Sequence, residues 1–446
     1  MNEQKSARIS SATLRPSACP GLLRIVPALD GGICRIKLPG GVILAEQAMA
    51  VARAAQACAH GVIEATNRSN LQIRGVGDDH DGLIQALMNA GLGPANPDSD
   101  DVRNLMLSPV AGLDAQMLFD ARPLAAQILA TLESHPRFHE LSPKFAISLD
   151  AGEALVMLEH PHDLWLSAVK VDGEVMLAFG LAGCPAHDRP LGVVPLAHGQ
   201  ALVVALLELF LELARPEHTR MRHLLAETPT DEILRQLATR LDVVVCVDPA
   251  IINRQRSTSP RNRHIGIYPQ AQPGLVAVGA VVPLGRLDGE TLSAIAQLAL
   301  DQGDGTLHLT PWQSLLLPNV PTERAPAVLA ALQAAGLIGC VGQPLAQIVA
   351  CTGSAGCAKG LADTKADARQ LAAHLHDSQA VHLTGCRRSC AAAHVAPVTL
   401  LAVSPGRYDL YFRDAAHPGF GVLRARDLTI EAVGAQLNAD SRSNTA

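Results

Sequence analysis

Aromatic side chains are scarce in this sequence, 3% of 446 residues, and charged ones amount to 17%. So few aromatics exclude a surface that stacks single-stranded bases. The charges that are present sum to -6, which excludes a general polyanion binder but leaves room for cations gathered locally around a small anion. The first residues, "MNEQKSARISSATLRPSACP", hold no apolar core of secretory length, and no uninterrupted apolar run reaches the roughly 20 residues of a membrane span. The longest such stretch, "ALVVALLELFLELA" at 201–214, is interrupted by Glu208 and Glu212 and reads as an amphipathic helix. A nicotinamide fingerprint is missing too, since "GLG" at 91–93 and "GDG" at 303–305 lack the third glycine and the strand-to-helix setting. These absences leave a cytoplasmic enzyme as the expectation, with neither nucleic acid nor membrane as a partner.

What the chain has in abundance is small apolar side chains, 48% hydrophobic residues over a length that exceeds one core, so two to four units are expected. An internal repeat organises them. "GGICRIKLPGGVILAEQAMAVARAAQACAHGVIEATNRSNLQIRGV" returns as "GLVAVGAVVPLGRLDGETLSAIAQLALDQGDGTLHLTPWQSLLLPNV", pairing Pro39 with Pro283, Gly41 with Gly285, Thr66 with Thr310 and Leu71 with Leu315. Each copy reads as strand, Pro-Gly turn, alanine-rich amphipathic helix, two short strands and a closing helix stopped by Gly91 or Gly336. A copy is small for independent stability, so the two are expected to join through their sheets. Larger α/β segments lie between and after them. The run "LGPANPDSDD" at 92–101 and the basic "NRQRSTSPRNRH" at 253–264 mark the boundaries, giving units at 15–95, 98–240, 262–340 and 345–436. The tail "NADSRSNTA" reads as disordered.

Ten cysteines in a reducing compartment point to buried thiols or metal ligands, not disulfides. Cys19, Cys34, Cys58, Cys184, Cys246 and Cys340 are scattered singly and read as core residues. Cys351 and Cys357 are separated by five intervening residues in "CTGSAGCAKG", and Cys386 and Cys390 by three in "GCRRSC". Four thiolates can hold an iron-sulfur cluster, and Gly353, Ser354, Ala355 and Gly356 let the backbone turn its N–H groups toward cluster sulfurs. Structural zinc prefers shorter knuckles on both arms.

C-x5-C followed by G-C-x3-C on a duplicated chain resembles the nitrite and sulfite reductase family, whose cysteines at these positions ligate a 4Fe-4S cluster. "TNRSNLQIRG" at 66–75, "DVRNLMLSPVAG" at 101–112, "LSPKFAISLD" at 141–150 and "TRMRHLL" at 219–225 are similar to the family's tetrapyrrole-lining segments. The resemblance implies an α+β, duplicated nitrite/sulfite reductase architecture: two ferredoxin-like half-domains paired with two larger α/β domains about a pseudo-two-fold axis. It further implies Cys351, Cys357, Cys386 and Cys390 on the cluster, and Arg68, Arg74, Arg103 and Lys144 around the ligand.

The reductases carry two lysines in a K-F-K segment, whereas here Ala146 occupies the second position. Losing one buried cationic partner costs about 2–5 kcal/mol, which disfavours reduction of a small oxyanion. "ACTGSAGCAKGLADTKADARQLA" and "TGCRRSCAAAHVAPVTLLAV" are closer to the precorrin-3B synthase branch of the same family, although Arg387, Arg388 and Ala392 depart from its pattern. That branch implies a methylated, carboxylate-rimmed tetrapyrrole as substrate, dioxygen as co-substrate and hydroxylation at C20 with closure of a γ-lactone. It also implies a mononuclear non-haem iron beside the cluster, and an external reductase or ferredoxin passing on electrons from NADH. Sirohaem belongs to the alternative, a nitrite or sulfite reductase, and a cluster-only electron carrier is the third reading. Arg254, Arg256, Arg261 and Arg263 are candidates to meet further carboxylates, or else a solvated surface run. For the lone iron, His394 and the His160, His162 and Asp163 of "EHPHD" are noted without assignment, as are His374 and His376.

Overall fold

The computed structural model describes residues 19–248, 251, 255–258, 262–392 and 396–443. Arg254, Arg261, His394 and the final residues 444–446 lie outside these.

Each repeat builds the expected elements. In the first copy these are the strand Gly31–Ile36, helix Ala45–Cys58, strands Val62–Ala65 and Leu71–Val76, and helix His80–Asn89. The second copy has strand Leu275–Val281, helix Gly289–Gln302, strands Thr306–Leu309 and Ser314–Pro321, and helix Ala325–Ala334. Ala48, Val51, Ala52 and Ala55 recur at helical spacing and form the buried stripe of the first long helix. The closing helices end as the glycines predict. Gly91 has φ 72° and Gly336 φ 90°, and the next N–H, from Leu92 or Leu337, is donated back to Leu87 or Leu332.

The two copies trade strands. Val42–Leu44, just after the first Pro-Gly turn, pairs antiparallel with Thr306–Leu309 of the second copy, and Arg286–Leu287 pairs antiparallel with Val62–Ala65 of the first. Each five-stranded sheet therefore has an edge strand donated by the other copy. The turn glycines make the crossing possible: a Cβ on Gly41 would sit 2.5 Å from the Leu309 carbonyl oxygen, and one on Gly285 2.9 Å from that of Ala65. Ile36, Ile63 and Leu71 share one core with Val278, Leu307 and Leu315, so the two small units bury their apolar faces together.

The larger units repeat as well. The first sheet runs Leu105–Leu107, Ile147–Asp150, His162–Val171, Glu174–Gly183, Gly192–Pro195; the second runs Ile348–Ala350, Val381–Thr384, Val398–Ser404, Arg407–Asp414, His417–Leu428. In both, the first two pairings are parallel and the last two antiparallel. Paired residues of the second and third strands stand equally far apart in sequence in the two units, Ile147 with Leu164 and Val381 with Val398. Counting out from the paired strands, Cys351, Cys386 and Cys390 fall on Ser108, Gly152 and Val156 of the first unit. The architecture is thus α+β and duplicated at both levels, with only the second large unit carrying thiols at these positions.

Two details of the sequence reading change. The helix Ile430–Ser443 extends into the tail expected to be disordered, because Ile430, Val433 and Leu437 give it a buried stripe and Asn438 donates to the His374 carbonyl. Leu196–Leu213 is apolar enough by length and composition to cross a membrane, yet its Leu202, Leu206, Leu209 and Phe210 sit in the core of the first large unit.

A carboxylate knot in that unit absorbs Arg256. Its guanidinium holds Asp150 at 2.9 and 3.1 Å and donates to the Glu153 carbonyl at 2.7 Å, while Glu153 is fully buried. Burial, then the charge of Asp150, pushes the Glu153 carboxyl up to about 8. An acid raised on folding is protonated in the native state and ionised in the unfolded chain at neutral pH, so its stability contribution is complete below about pH 4.3 and declines as pH rises toward 8. Glu153→Gln keeps an acceptor for the Ala151 N–H, bonded at 2.8 Å, and removes that decline. It is expected to raise the urea midpoint at pH 7, with a gain on the order of 3 kcal/mol, and to flatten stability between about pH 5 and 8. An unchanged midpoint would show that the carboxyl is not held neutral.

Candidate functional site

Period-two alternation sorts the first half-domain sheet into two faces. Cys34, Ile36, Leu71, Ile73 and Ile63 point into the shared core, and Arg35, Gln72, Arg74 and Glu64 point the other way. Register makes them neighbours: Arg35 is opposite Gln72, Gln72 opposite Glu64, and Glu64 opposite Arg286. The corresponding face of the second copy carries Gly279, Leu316, Pro318 and His308, and Leu316 is buried against Val110, Leu155 and Tyr268. One copy has kept a polar face and the other has closed it.

Across that polar face lies the second large unit, and a cavity of about 600 Å³ opens between them. All four cysteines, Cys351, Cys357, Cys386 and Cys390, line it. The loop that carries the first pair is pinned by its own backbone: Cys357 N–H donates to the Gly353 carbonyl at 2.9 Å and Ser354 N–H to that of Ala362 at 2.8 Å. Gly353, at φ 65°, leaves no room for a side chain, since a Cβ there would meet the Ala362 oxygen at 2.4 Å. Gly385 N–H donates to Cys351 Sγ at 3.2 Å, and Thr364 Oγ1 lies 3.5 Å from the same sulfur while donating to the Cys351 carbonyl at 2.7 Å. Burial and then the other three thiols push the Cys390 thiol up, so its deprotonation would need a compensating cation or metal. Among the described residues no three His, Cys, Asp or Glu side chains converge where one metal ion could sit. The four thiols thus share a cavity without forming a mononuclear site, as ligands spread around a cube of iron and sulfide would. For a lone non-haem iron the described residues offer no ligand set.

Among the described residues, five basic side chains, Arg35, Arg74, Lys359, Lys365 and Arg388, line the cavity against a single carboxylate, Glu64, in a chain of net negative charge. Of the positions expected around a ligand, Arg74 is on this wall, with its guanidinium bonded to Asp30 at 2.9 and 2.8 Å and to the Gly356 carbonyl at 3.1 Å. Arg68 is not in the lining; it stands near Arg35 and Arg220, without an ion-pair partner among the described residues because Asp163 is taken by Arg220 at 2.9 Å. Burial, and then Arg220, pulls the Arg68 guanidinium down to about 10. Arg103 is buried elsewhere, beside Glu133 at 3.5 Å and Asp100 at 4.0 Å. Lys144 is exposed and outside the lining. Ala146, at the position of the second lysine of the K-F-K segment, is buried and donates its N–H to Asp163 at 2.9 Å. His162 is buried with Nδ1 2.8 Å from the His160 carbonyl, and Asp163 also accepts from Met221 N–H, so "EHPHD" folds into packing and ion pairing.

Arg35, Lys359, Lys365 and Glu64 escaped the sequence reading. Arg35 had a signal: in "GICRI" it alternates with Cys34 and Ile36, which places it opposite the core. Among the described residues its Nε has no hydrogen-bond partner, and its Nη2 donates to Gln72 at 3.2 Å. Burial pulls this guanidinium's pKa down. Such a group is poised to meet an anion.

Comparison with known proteins places these features in context. The model of the nitrite/sulfite reductase ferredoxin-like half domain matches residues 27–90 and 268–335, and that of the nitrite and sulphite reductase 4Fe-4S domain matches 98–244. A chloroplastic ferredoxin–nitrite reductase of Zea mays is 33% identical over 82% of this chain and 68% of its own length. A precorrin-3B synthase of Sinorhizobium is 27% identical over 91% of this chain and 84% of its own length. The solved NirA protein of Mycobacterium tuberculosis has the same fold, with a TM-score of 0.76 at 21% identity, covering 92% of this chain and 80% of that one.

Proposed function

This chain belongs to the nitrite and sulphite reductase family, and from that premise we propose that it is a precorrin-3B synthase, which hydroxylates precorrin-3A at C20 with dioxygen and closes a γ-lactone. The observation that carries this reading is the cation pattern of the cavity. Burying several carboxylates of a tetrapyrrole costs several kcal/mol each unless cations meet them. Arg35, Lys359 and Arg388 stand ready on the wall, with Arg68 nearby. The position that would help hold a small oxyanion is Ala146, which offers no charge, and Lys144 lies in solvent. The greater share of the precorrin-3B synthase's length covered by this chain, 84% against 68% for the maize nitrite reductase, points the same way.

In this reading Cys351, Cys357, Cys386 and Cys390 hold a 4Fe-4S cluster, which when bound supplies single electrons delivered by an external protein donor. The chain's own residues do the rest. The arginine face fixes the macrocycle by its carboxylates, Gly385 N–H and Thr364 Oγ1 steady Cys351, and the cavity walls limit water around the ring. A second reading, a sirohaem-dependent nitrite reductase, is favoured by the 33% identity to the maize enzyme.

One preparation separates the two. Protein purified without air is expected to contain iron and acid-labile sulfide but no macrocycle, and to convert precorrin-3A only when dioxygen is present, with isotope-labelled oxygen appearing in the product. Sirohaem bands in the purified protein together with nitrite reduction would select the second reading.

A further inference from the structure

The segment "LADTKAD" following the first cysteine pair opens the helix Thr364–His374, and three successive residues do different work there. Asp363 caps it by accepting the Ala366 N–H at 3.3 Å. Thr364 contacts Cys351 through its hydroxyl. Lys365, buried like Thr364, leaves the cysteine unit altogether: its Nζ donates to the Leu284 carbonyl at 2.5 Å and lies 3.5 Å from Glu64 Oε1. Glu64, itself buried, also pairs with Arg286 at 2.8 Å, accepts from Gln72 at 2.7 Å and lies 4.0 Å from Arg74. Three cations, Lys365, Arg74 and Arg286, thus surround Glu64, with Asp30 as the one further anion bonded to Arg74. The knot carries one net positive charge, and both Lys365 and Glu64 face the cavity that the four thiols line.

We propose that Lys365 and Glu64 are positioning residues that set, with opposite signs, the reduction potential of the group held by the four cysteines. A buried ammonium on the wall of the cavity that the thiols line favours the form with one more electron; a buried carboxylate opposes it, and neither is screened as a surface charge would be. Glu64, on the strand Val62–Ala65, and Lys365, in the helix Thr364–His374, bring this control to the cavity from opposite walls. The inference rests on the cluster reading above.

The experiment is a potentiometric titration of anaerobically purified holoprotein, followed by electron paramagnetic resonance, for wild type, K365M, K365R and E64Q. K365M is expected to lower the midpoint by at least tenfold in the one-electron equilibrium, 59 mV, and E64Q to raise it, with K365R close to wild type. Shifts of the same sign in K365M and E64Q, or no shift in either, overturn the proposal, because loss of structure alone has no reason to reverse sign. Should K365M fail to load iron, E64Q decides: a raised midpoint supports the proposal and an unmoved one overturns it. A wild-type chain without iron and sulfide overturns the cluster reading as well, whereas an intact cluster with unmoved potentials overturns this inference alone.

Discussion

Replacing Cys357 with Ser is expected to abolish the cluster absorption, the bound iron and sulfide, and the proposed conversion of precorrin-3A together. A serine hydroxyl stays protonated at neutral pH and cannot stand in for a thiolate. The change should not unfold its surroundings, because the loop's hydrogen bonds run through backbone: Cys357 N–H to Gly353, Gly360 N–H to Cys357, Leu361 N–H to Gly385. Circular dichroism and the urea midpoint of the unloaded protein are therefore expected to match those of unloaded wild type. Cys340→Ser, at an exposed thiol outside the cavity lining, serves as the control and should leave iron content and activity intact. If Cys357→Ser lost its cluster and still turned over precorrin-3A, the electron relay assigned to the four cysteines would be wrong.

Much of the fold could be read from residues that obey local rules. The repeat announced itself through Pro39 and Pro283, and the closing helices through Gly91 and Gly336, because a left-handed cap needs a residue without a Cβ. The strand exchange left no such mark. Val42–Leu44 is three residues of apolar character between a turn and a helix, and nothing local distinguishes pairing with its own copy from pairing with the other. The tail misled for a related reason: "NADSRS" is polar, but its helix is fixed upstream by Ile430, Val433 and Leu437.

The site was legible to a different degree on each side. Cysteine spacing and flanking glycines identify a loop that must wrap something, and all four thiols do line one cavity. The ligand-facing cations were harder. Arg103 sits in a motif yet turns to Glu133 and Asp100, and Arg256 turns to Asp150, because an internal carboxylate competes for any buried guanidinium. Which arginine is committed to the fold depends on long-range register, and the alternation that put Arg35 on the open face was visible only beside the core residues flanking it.

Arg35 and Arg74 make that distinction testable, since they share one sheet face and differ in their partners. Arg74 is held by Asp30 and the Gly356 carbonyl, and so ties the cysteine loop to the half-domain. Arg74→Ala is expected to cost about 3 kcal/mol of stability, the low end for a broken buried pair, because Asp30 keeps a quarter of its side-chain surface in water. Iron content should fall with it, as the loop loses its anchor. Arg74→Lys should recover little, since an ammonium cannot hold both carboxylate oxygens in a fork and reach the carbonyl as well. In an Asp30→Ala, Arg74→Ala double variant the loss should fall short of the sum of the single losses by about 0.5–3 kcal/mol. Arg35→Ala is expected to do the opposite: near-normal urea midpoint and iron content, but binding of a polycarboxylated porphyrin weakened by about 2–5 kcal/mol, measured by fluorescence titration. Were Arg74→Ala to weaken the porphyrin alone and Arg35→Ala to destabilise the fold, the carboxylates of the ligand would have to displace Asp30, and the roles of the two guanidiniums would be exchanged.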